Sequence, residues 1–339
     1  MGRESGKPLV EARHLKMYFH IKGKGRLHAV DDVSFDIYPG ETLGLVGESG
    51  CGKSTIGNVT MRLLKATDGA LLFEGQDVLR AKGRERKAFC RKMQIIFQDP
   101  YSSLNPRKTV RKILREPFEV QRLGAGEALD RMVDRLCEKV DIPASLLDRY
   151  PHELDGGMRQ VVGIARALAV NPQLIVCDEP VSSLDVSVQA KIINLLMDIQ
   201  KEMGLSYLFI SHDLSVVRHI SNRIAVMYLG QIIEICDTDT MFEQTMHPYS
   251  LALLSAVPQV NAEEKVSRIL LKGDVPSPMD PKPGCRFAPR CWMARERCFT
   301  EGPQLREAAP NHHVACHYAH QSRERMKQAA TSSLDREEA

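Results

Sequence analysis

The feature that most constrains the fold of this chain is residues 47–54, which read Gly-Glu-Ser-Gly-Cys-Gly-Lys-Ser. The apolar run 42–46 before them predicts a buried strand, and residues 55–61 after them predict the start of a helix. Glycines at this spacing form a P-loop, whose backbone N–H groups turn inward around phosphate oxygens at a helix N-terminus. The motif therefore predicts an α/β fold with a phosphate site.

The same spacing predicts individual contacts with a nucleotide. The Lys53 ammonium would reach the β- and γ-phosphates, and the Ser54 hydroxyl would be a ligand of Mg²⁺. A glycine-rich strand-to-helix turn also arises by chance, so the prediction needs a carboxylate motif further along the chain. The candidate contacts in this stretch are Gly47, Gly50, Gly52, Lys53, Ser54 and Thr55.

Two carboxylates stand at the end of a second apolar strand, residues 174–178. In a P-loop protein the first of them, Asp178, would serve the Mg²⁺ shell, and the adjacent Glu179 would polarise the attacking water. Paired acids at a strand end are common by themselves. Downstream of a P-loop they supply the support that the first motif needed.

Two further polar residues follow apolar strands. Gln98 comes at the end of the strand that begins at residue 93, and His212 follows the apolar run 207–210. Because ligands of open α/β sheets bind at the carboxyl edge of the strands, both side chains are expected at the same edge as Asp178.

Residues 9–46 alternate between apolar and polar side chains, as strands half-buried in an antiparallel sheet do. Tyr18 lies between two such stretches. Its ring could stack on a nucleotide base, although an aromatic side chain in a strand is more often part of the core. We favour stacking because the P-loop follows at a plausible distance.

The middle of the chain is expected to be helical, from about residue 107 to 150 and again over 161–170. Between these stretches, residues 154–160 read Leu-Asp-Gly-Gly-Met-Arg-Gln. Paired glycines at a helix start expose N–H groups to an anion, whereas Asp155 by itself is a typical N-cap. A further helix is expected after Asp185, to about residue 203.

Composition limits the class of protein. The chain has 339 residues with 46 basic and 43 acidic side chains, a balance that does not suggest a nucleic-acid binder. Residues 1–8 lack the apolar stretch of a signal peptide, and no run approaches the ~20 apolar residues of a spanning helix. We therefore expect a cytoplasmic protein.

Four of the nine cysteines crowd into the C-terminal part of the chain. In a reducing compartment such a group is more often a metal or iron–sulfur site than a disulfide framework. The gaps of five, six and seventeen residues differ from the paired C-x₂-C of most structural zinc sites. An iron–sulfur cluster is therefore favoured over zinc and over free thiols for Cys285, Cys291, Cys298 and Cys316.

The order of these motifs resembles the nucleotide-binding subunit of ABC transporters, over roughly residues 8–245. The resemblance implies an α/β P-loop ABC ATPase cassette with a RecA-like core, an antiparallel β subdomain and a helical subdomain at about 101–160, bound to ATP and Mg²⁺. The resemblance also implies a role for each residue. Tyr18 would stack on adenine, Lys53 and Ser54 would contact the phosphates and Mg²⁺, and Gln98 would be the Q-loop glutamine with a contact to Mg²⁺. Asp178 would be the Walker B aspartate, Glu179 the catalytic base, Asp155, Gly156 and Gly157 the signature contacts, Asp185 the D-loop residue and His212 the γ-phosphate contact.

Three segments, 97–106, 210–217 and 247–258, resemble more narrowly the ATPases of the dipeptide, oligopeptide and nickel importer family. That resemblance implies a motor at the cytoplasmic face of the inner membrane, bound to two permease subunits and served by an extracytoplasmic solute-binding protein. Peptide is the commonest cargo, and a nickel complex or an opine-like solute is the alternative. Similar tails in the family imply a cassette at 1–250 and a small region at 251–339 that holds a [4Fe-4S] cluster or zinc.

One motif departs from the family pattern. The signature Leu-Ser-Gly-Gly-Gln reads Leu-Asp-Gly-Gly-Met here, so Asp155 replaces a hydroxyl donor with an anion. At ~4 Å and an effective dielectric of ~20, its repulsion with a phosphate charge is about 4 kcal/mol. This predicts pairing with a related subunit and one degenerate ATP site, unless Asp155 merely caps its helix. Soluble ABC ATPases remain a further alternative, as does a redox-sensing ATPase with the cysteines as output.

Overall fold

The computed structural model describes residues 6–257, 269–271 and 273–321. Residues 1–5, Pro258 and parts of the predicted region 251–339 therefore lie outside the described residues. Within them the strands are β1 Val10–Ile21, β2 Gly25–Ile37, β3 Thr42–Val46, β4 Asp68–Phe73, β5 Gln76–Asp77, β6 Met93–Ile96, β7 Leu174–Asp178, β8 Ser206–Ile210, β9 Arg223–Tyr228, β10 Gln231–Asp237, β11 Arg306–Ala309 and β12 His312–Val314. The helices are α1 Lys53–Thr60, α2 Gly83–Lys92, α3 Pro100–Ser103, α4 Val110–Val120, α5 Glu127–Lys139, α6 Gly156–Leu168, α7 Val186–Met203, α8 Leu214–Ile220, α9 Thr238–Gln244, α10 Pro248–Ser255 and α11 Glu296–Thr300.

The larger of two sheets has eight strands in the order β11-β12-β10-β9-β3-β8-β7-β6. Strands β6 to β9 and β3 run parallel, and the remaining pairs are antiparallel. Parallel strands point their carboxyl ends to one edge, so the segments after β3, β6, β7 and β8 are collected there. Lys53, Gln98, Glu179 and His212 follow these four strands.

Alternation along the central strands gives the sheet two cores. In β7, Leu174 and Val176 face a cluster that includes the four-stranded sheet β2-β1-β4-β5 and α1. Ile175 and Cys177 face the opposite cluster with α4 to α8. Since successive side chains of a strand point to opposite faces, this continuous apolar run is what a strand covered on both sides requires.

The helical part differs in detail from the expectation. Helices α4 and α5 cover only parts of residues 107–150, and residues 140–150 contain just one short 3₁₀ turn, at Ala144–Leu146. The helix expected over 161–170 begins earlier, at Gly156, because Asp155 caps it, and it ends at Leu168. The helix expected after Asp185 is confirmed as α7.

The chain beyond residue 250 returns to the main sheet. Strand β12 pairs with β10, with Val314 opposite Glu234, and β11 pairs with β12 at the edge. Phe287 and Ala315 belong to the same hydrophobic core as the helices α4 to α8. The C-terminal region thus shares both a sheet and a core with the rest of the chain.

Among the described residues, no helix combines the length and the hydropathy that crossing a bilayer would require.

Candidate nucleotide site

The P-loop connects the end of β3 to the start of α1, and two of its glycines are sterically required. Gly52 has φ +107°, and a Cβ there would lie 2.0 Å from the carbonyl oxygen of Ala29. Gly47 has φ +155°, and its Cβ would lie 2.2 Å from the carbonyl oxygen of Met227. Strand β2 and strand β9 therefore enclose the loop so closely that a larger residue at either position would displace backbone.

Lys53 lies inside the loop that it follows. Its ammonium donates to the carbonyl oxygens of Gly47 at 2.8 Å and Glu48 at 3.1 Å, and the side chain is buried. No side chain of the described residues caps the N-terminus of α1. The free N–H groups, the helix dipole and the Lys53 charge combine into a site that attracts an anion.

Ser54 and Asp178, predicted from separate motifs, are in direct contact. The Ser54 hydroxyl donates to Asp178 Oδ1 at 2.9 Å. Burial raises the pKa of Asp178, and the nearby Glu179 adds to that rise, against the opposing effects of Ser54 and Lys53. A hydroxyl and a carboxylate oxygen side by side are the ligand type that Mg²⁺ prefers, so these residues fit the metal that the P-loop implies.

Glu179 is the meeting point of the other predicted residues. Gln98 Nε2 donates to Glu179 Oε2 at 2.9 Å, and His212 Nδ1 lies 3.3 Å from the same oxygen. Glu179 also has φ +46°, a left-handed conformation that costs a non-glycine residue about 1–3 kcal/mol. Three strand ends thus converge on one carboxylate whose backbone is strained.

Tyr18 makes contacts that its sequence context does not announce. Its ring stacks on His28 with centroids 4.1 Å apart, and its hydroxyl donates to the carboxylate of Asp31. Burial and then this hydrogen bond raise the pKa of Tyr18. One face of the ring is therefore already covered within the chain.

Residues 155–157 are held by neighbouring helix elements. Asp155 Oδ1 accepts from the backbone N–H of Met158 at 2.7 Å, which makes it the N-cap of α6. A Cβ at Gly157 would lie 2.6 Å from Val188, and one at Gly156 would lie 3.3 Å from Leu184. Residues 155–157 thus lie against α6 itself and against Leu184 and Val188, which stand on either side of Asp185.

The four C-terminal cysteines line one cavity of about 20 Å³, together with His247 and Phe287. Backbone N–H groups donate to two of the sulfurs, from Met293 to Cys291 and from Tyr318 to Cys316, each at 3.4 Å. Burial raises the pKa of Cys291 to about 12 and that of Cys316 to about 11. In the part of the chain that is described, no three His, Cys, Asp or Glu side chains already stand in a metal-binding arrangement.

Comparison with known proteins accounts for this geometry. The family model of the ABC transporter matches residues 30–182, and that of the oligopeptide/dipeptide transporter C-terminal region matches residues 233–298. The oligopeptide transport ATP-binding protein AppF of Bacillus subtilis is 49% identical over 318 residues, covering 91% of this chain and 97% of AppF.

This chain belongs to the ABC transporter family. YkfD of Bacillus subtilis, whose provisional name is oligopeptide transport ATP-binding protein, is 52% identical over 91% of this chain and 95% of its own length. The solved structure of the dimeric ATP-binding cassette MJ0796 bound to ADP and Pi superposes with a TM-score of 0.62 at 27% identity, covering 68% of this chain and 98% of that one. The ABC cassette fold predicted from the motifs is therefore confirmed, and the protein is an ABC ATPase.

Several residues at the site of this ABC cassette were not predicted. The loop residue Glu48 contacts Tyr249 and Arg290, and Asp31 near Tyr18 contacts Arg286. All three partners lie beyond the region with P-loop ATPase motifs. Their signals were weak, because an arginine next to a cysteine and a tyrosine in an apolar helix have no fixed meaning in a sequence. Only His28 and Asp31, close to Tyr18 in the chain, could have been found from strand pairing.

Proposed function

We propose that this chain is the ATP-hydrolysing motor subunit of an importer for dipeptides or oligopeptides. The observation that carries the proposal is the convergence of Gln98 and His212 on Glu179, beside the contact of Ser54 with Asp178. These contacts place a candidate base next to a candidate Mg²⁺ site at the mouth of a P-loop. The relatives named for oligopeptide transport supply the class of cargo.

Each residue has a role that its position supports. The P-loop with Lys53 binds the nucleotide phosphates, and Ser54 and Asp178 hold Mg²⁺, which neutralises phosphate charge when bound. Glu179 accepts a proton from the water that attacks the γ-phosphate. Gln98 donates to this carboxylate in the described state and His212 lies 3.3 Å from it, and both are proposed to orient the carboxylate and the phosphate during turnover.

The nucleotide base is proposed to bind at Tyr18. With His28 on one face of the ring, a purine would stack on the other face, unless His28 moves away. Gly50 and Thr55 complete the phosphate contacts within the cassette. Asp155, Gly156, Gly157 and Asp185 are proposed to contact the ATP held by a second cassette, because composite sites of this kind form head to tail.

The motor is proposed to work at the cytoplasmic face of the membrane, on two permease subunits that receive solute from a binding protein. The segment after Gln98 is the proposed contact with the permeases. There Tyr101 is exposed and lies 5.1 Å from the Arg159 guanidinium of α6, and Arg166 donates to Ser103 O, so movement of α6 would reach this surface.

Co-expression with the candidate permease subunits tests this assignment. We expect the chain to co-purify with them and to support ATP-dependent uptake of labelled peptide into vesicles. Uptake of a nickel complex or an opine instead would change the cargo but not the motor. A chain that hydrolyses ATP yet binds no permease would favour a soluble ABC ATPase, or a redox sensor if thiol oxidation controls its turnover.

The partner cassette is proposed to be a different, related subunit. Asp155 caps α6 in the free chain, and its negative charge would still face the phosphate of the partner's ATP. In the assembled transporter, Glu179→Gln in this chain should stop uptake, while the equivalent change in the partner should matter much less. Equal losses from both changes, or a fully active homodimer, would contradict the proposal.

The four cysteines are proposed to hold a structural [4Fe-4S] cluster. In the proposed domain division, they lie in a C-terminal region at 251–339, after a cassette at 1–250 whose helical subdomain spans about 101–160. All four thiols reach one cavity, and N–H donors to sulfur of the kind seen at Cys291 and Cys316 stabilise thiolates. The cavity of about 20 Å³ has room for one water-sized species, so a cluster requires the segments to separate. Zinc, which needs less space, is the alternative.

Anaerobic purification followed by iron, sulfide and zinc analysis separates these outcomes. About four irons and four sulfides per chain, lost in a Cys298→Ser variant, would support the cluster. One zinc per chain would replace the cluster in this proposal. Finding neither metal would mean that the four thiols bind no metal.

A further inference from the structure

Glu48 of the P-loop is held from outside the loop by residues far away in sequence. Its backbone N–H donates to the Tyr249 hydroxyl at 3.0 Å. Its carboxylate accepts from Arg290, at 2.9 Å for Oε2 and at 3.2 and 3.3 Å for Oε1. Its carbonyl oxygen receives the Lys53 ammonium at 3.1 Å. A single residue is thus fixed through its amide, its side chain and its carbonyl group.

The contact of Arg290 with Glu48 is buried and forked. The Arg290 side chain is 9% exposed and that of Glu48 27% exposed, and both terminal nitrogens of the guanidinium reach the carboxylate. Burial alone lowers the pKa of Arg290, but the hydrogen bonds and charge of Glu48 outweigh it and the net pKa is raised. Forked arginine–carboxylate pairs of this kind fix geometry as well as charge.

Arg290 is presented by a short segment, residues 285–291, that turns through a 3₁₀ turn at Ala288–Arg290. Cys285 and Cys291, at the two ends of this segment, line the four-thiol cavity. Arg286, next to Cys285, donates to the carboxylate of Asp31, which is also bonded to Tyr18. The segment therefore has its cysteines on the cavity and its arginines on the nucleotide site.

The surrounding packing keeps this segment in place. Phe287, fully buried, contacts the rings of Tyr228 and Tyr249 at centroid distances of 5.3 and 5.4 Å. Tyr228 ends β9, the strand beside β3 that leads into the P-loop. Loop and segment thus rest on the same aromatic cluster.

We propose that Arg290, with Tyr249, is a positioning residue of the P-loop, so that the region beyond the cassette sets the affinity for nucleotide. A phosphate cradle binds in proportion to the fraction of time it is correctly formed. Releasing Glu48 frees the carbonyl group to which Lys53 is bonded and the turn that starts at Gly47. A cradle formed one tenth of the time would bind nucleotide about 10-fold more weakly, equivalent to about 1.4 kcal/mol.

The test is a double-mutant cycle between Arg290 and Glu48 in the full-length protein, with mant-ATP binding and steady-state ATPase as readouts. Arg290→Ala and Glu48→Ala should each weaken binding and raise the KM for ATP about 10-fold, with kcat within about 2-fold. The double variant should be no weaker than either single variant, because both remove the same contact. Arg290→Lys keeps the charge and loses the forked contact. Its affinity for mant-ATP should lie between those of the unmodified chain and Arg290→Ala.

Arg297→Ala is the matched control. Arg297 makes the same forked contact, at 2.7 and 2.9 Å, with Glu301 in the same region, but both side chains are 56% exposed. We expect its nucleotide affinity to equal that of the unmodified chain. Should Arg290→Ala fail to fold, Tyr249→Phe removes the hydroxyl that accepts from the Glu48 N–H and is also expected to weaken nucleotide binding.

Unchanged affinity in Arg290→Ala and Tyr249→Phe, or additive losses in the cycle, would overturn the inference. Because the inference rests on the proposed nucleotide site, Lys53→Ala is measured alongside. If Lys53→Ala both binds mant-ATP normally and hydrolyses ATP at the unmodified rate, the site itself is wrong. If Lys53→Ala loses binding while the Arg290 variants do not, the site stands and the positioning role fails.

Discussion

Glu179 combines a strained backbone with one side-chain donor, Gln98, and a neighbouring histidine, His212, and this combination bears on its chemistry. A left-handed glutamate persists only where its surroundings enforce the conformation, and the contacts with Gln98 and His212 are part of those surroundings. Its side chain is 14% exposed, whereas that of His212 is 58% exposed. The carboxylate is therefore largely shielded from solvent, whereas the histidine is exposed.

We predict that Glu179→Gln keeps nucleotide binding and lowers the ATPase kcat by at least about 100-fold. The amide preserves the size and the hydrogen bonds but cannot accept a proton from water, and general-base catalysis contributes 10²–10⁴. Binding is measured with mant-ATP and turnover by phosphate release. Glu301→Gln, at an exposed pair distant from the P-loop, serves as control, and rapid turnover in Glu179→Gln would remove Glu179 as the base.

We predict the opposite pattern for Lys53→Ala, which should lose Mg-ATP binding or the hydrolysis that follows. The buried ammonium is the charge that the P-loop directs at the phosphates. A titration with mant-ATP measures binding, and phosphate release measures hydrolysis. Undiminished ATPase, with contaminating activity excluded, would contradict the assigned site.

At the scale of elements, the start of α6 shows how one side chain serves a local and a distant purpose. Asp155 supplies the cap that four free N–H groups need, and serine would supply it equally well. The helix therefore does not require aspartate at this position. What distinguishes the two residues is the charge, which matters only where another molecule brings a phosphate near.

We predict that Asp155→Ser leaves the unfolding free energy within about 0.5 kcal/mol but raises ATPase activity of the isolated chain. Asp155→Ala should instead cost about 1 kcal/mol, because the cap is lost. Urea unfolding and phosphate release measure the two effects. If Asp155→Ser folds normally and its ATPase does not rise, the degenerate ATP site is not caused by this charge.

At the scale of the whole molecule, Glu234 joins parts of the chain that lie far apart. This fully buried carboxylate on β10 accepts from the Thr245 hydroxyl at 2.8 Å, the Met246 N–H at 2.6 Å and the His247 N–H at 3.1 Å. His312 of β12 lies 2.7 Å from it through Nε2. One side chain thus fixes the segment before α10 and the returning strand to the main sheet.

We predict that His312→Ala lowers the unfolding free energy by about 3 kcal/mol. The change leaves a buried acceptor short of one partner and creates a void, and such losses cost about 1–3 kcal/mol, more when the group is charged. His320→Ala, at an exposed position nearby, should have little effect. Urea unfolding measures the stability of both variants. Equal unfolding free energies would show that the His312–Glu234 contact does not stabilise the fold.

We also predict a loss of stability in acid that depends on Glu234. Burial alone raises its pKa, but the donors around it, His312 first, outweigh burial and hold the pKa below its ordinary value of 4.5. The unfolded chain then takes up the proton more readily, so the unfolding free energy falls as pH decreases below about 4.5. The slope should be smaller in Glu234→Gln, and identical slopes would rule out this origin.

The cassette can be predicted from the amino-acid sequence alone. Glycine spacing fixes the turn of the P-loop, apolar runs fix strands covered on both faces, and polar residues at strand ends fix which side chains gather at the carboxyl edge. These are local properties, since dihedral preference and hydrophobic periodicity act over a few residues. They were enough to place Lys53, Asp178 and Glu179.

The contacts that hold that site in place depend on how distant parts of the chain pack together. Glu48 meets Tyr249 and Arg290 across separations of 201 and 242 residues, and Tyr18 meets His28 through strand pairing rather than spacing. No local rule links Glu48 to Tyr249 and Arg290, because these contacts arise from how α10 and the segment 285–291 return onto the P-loop.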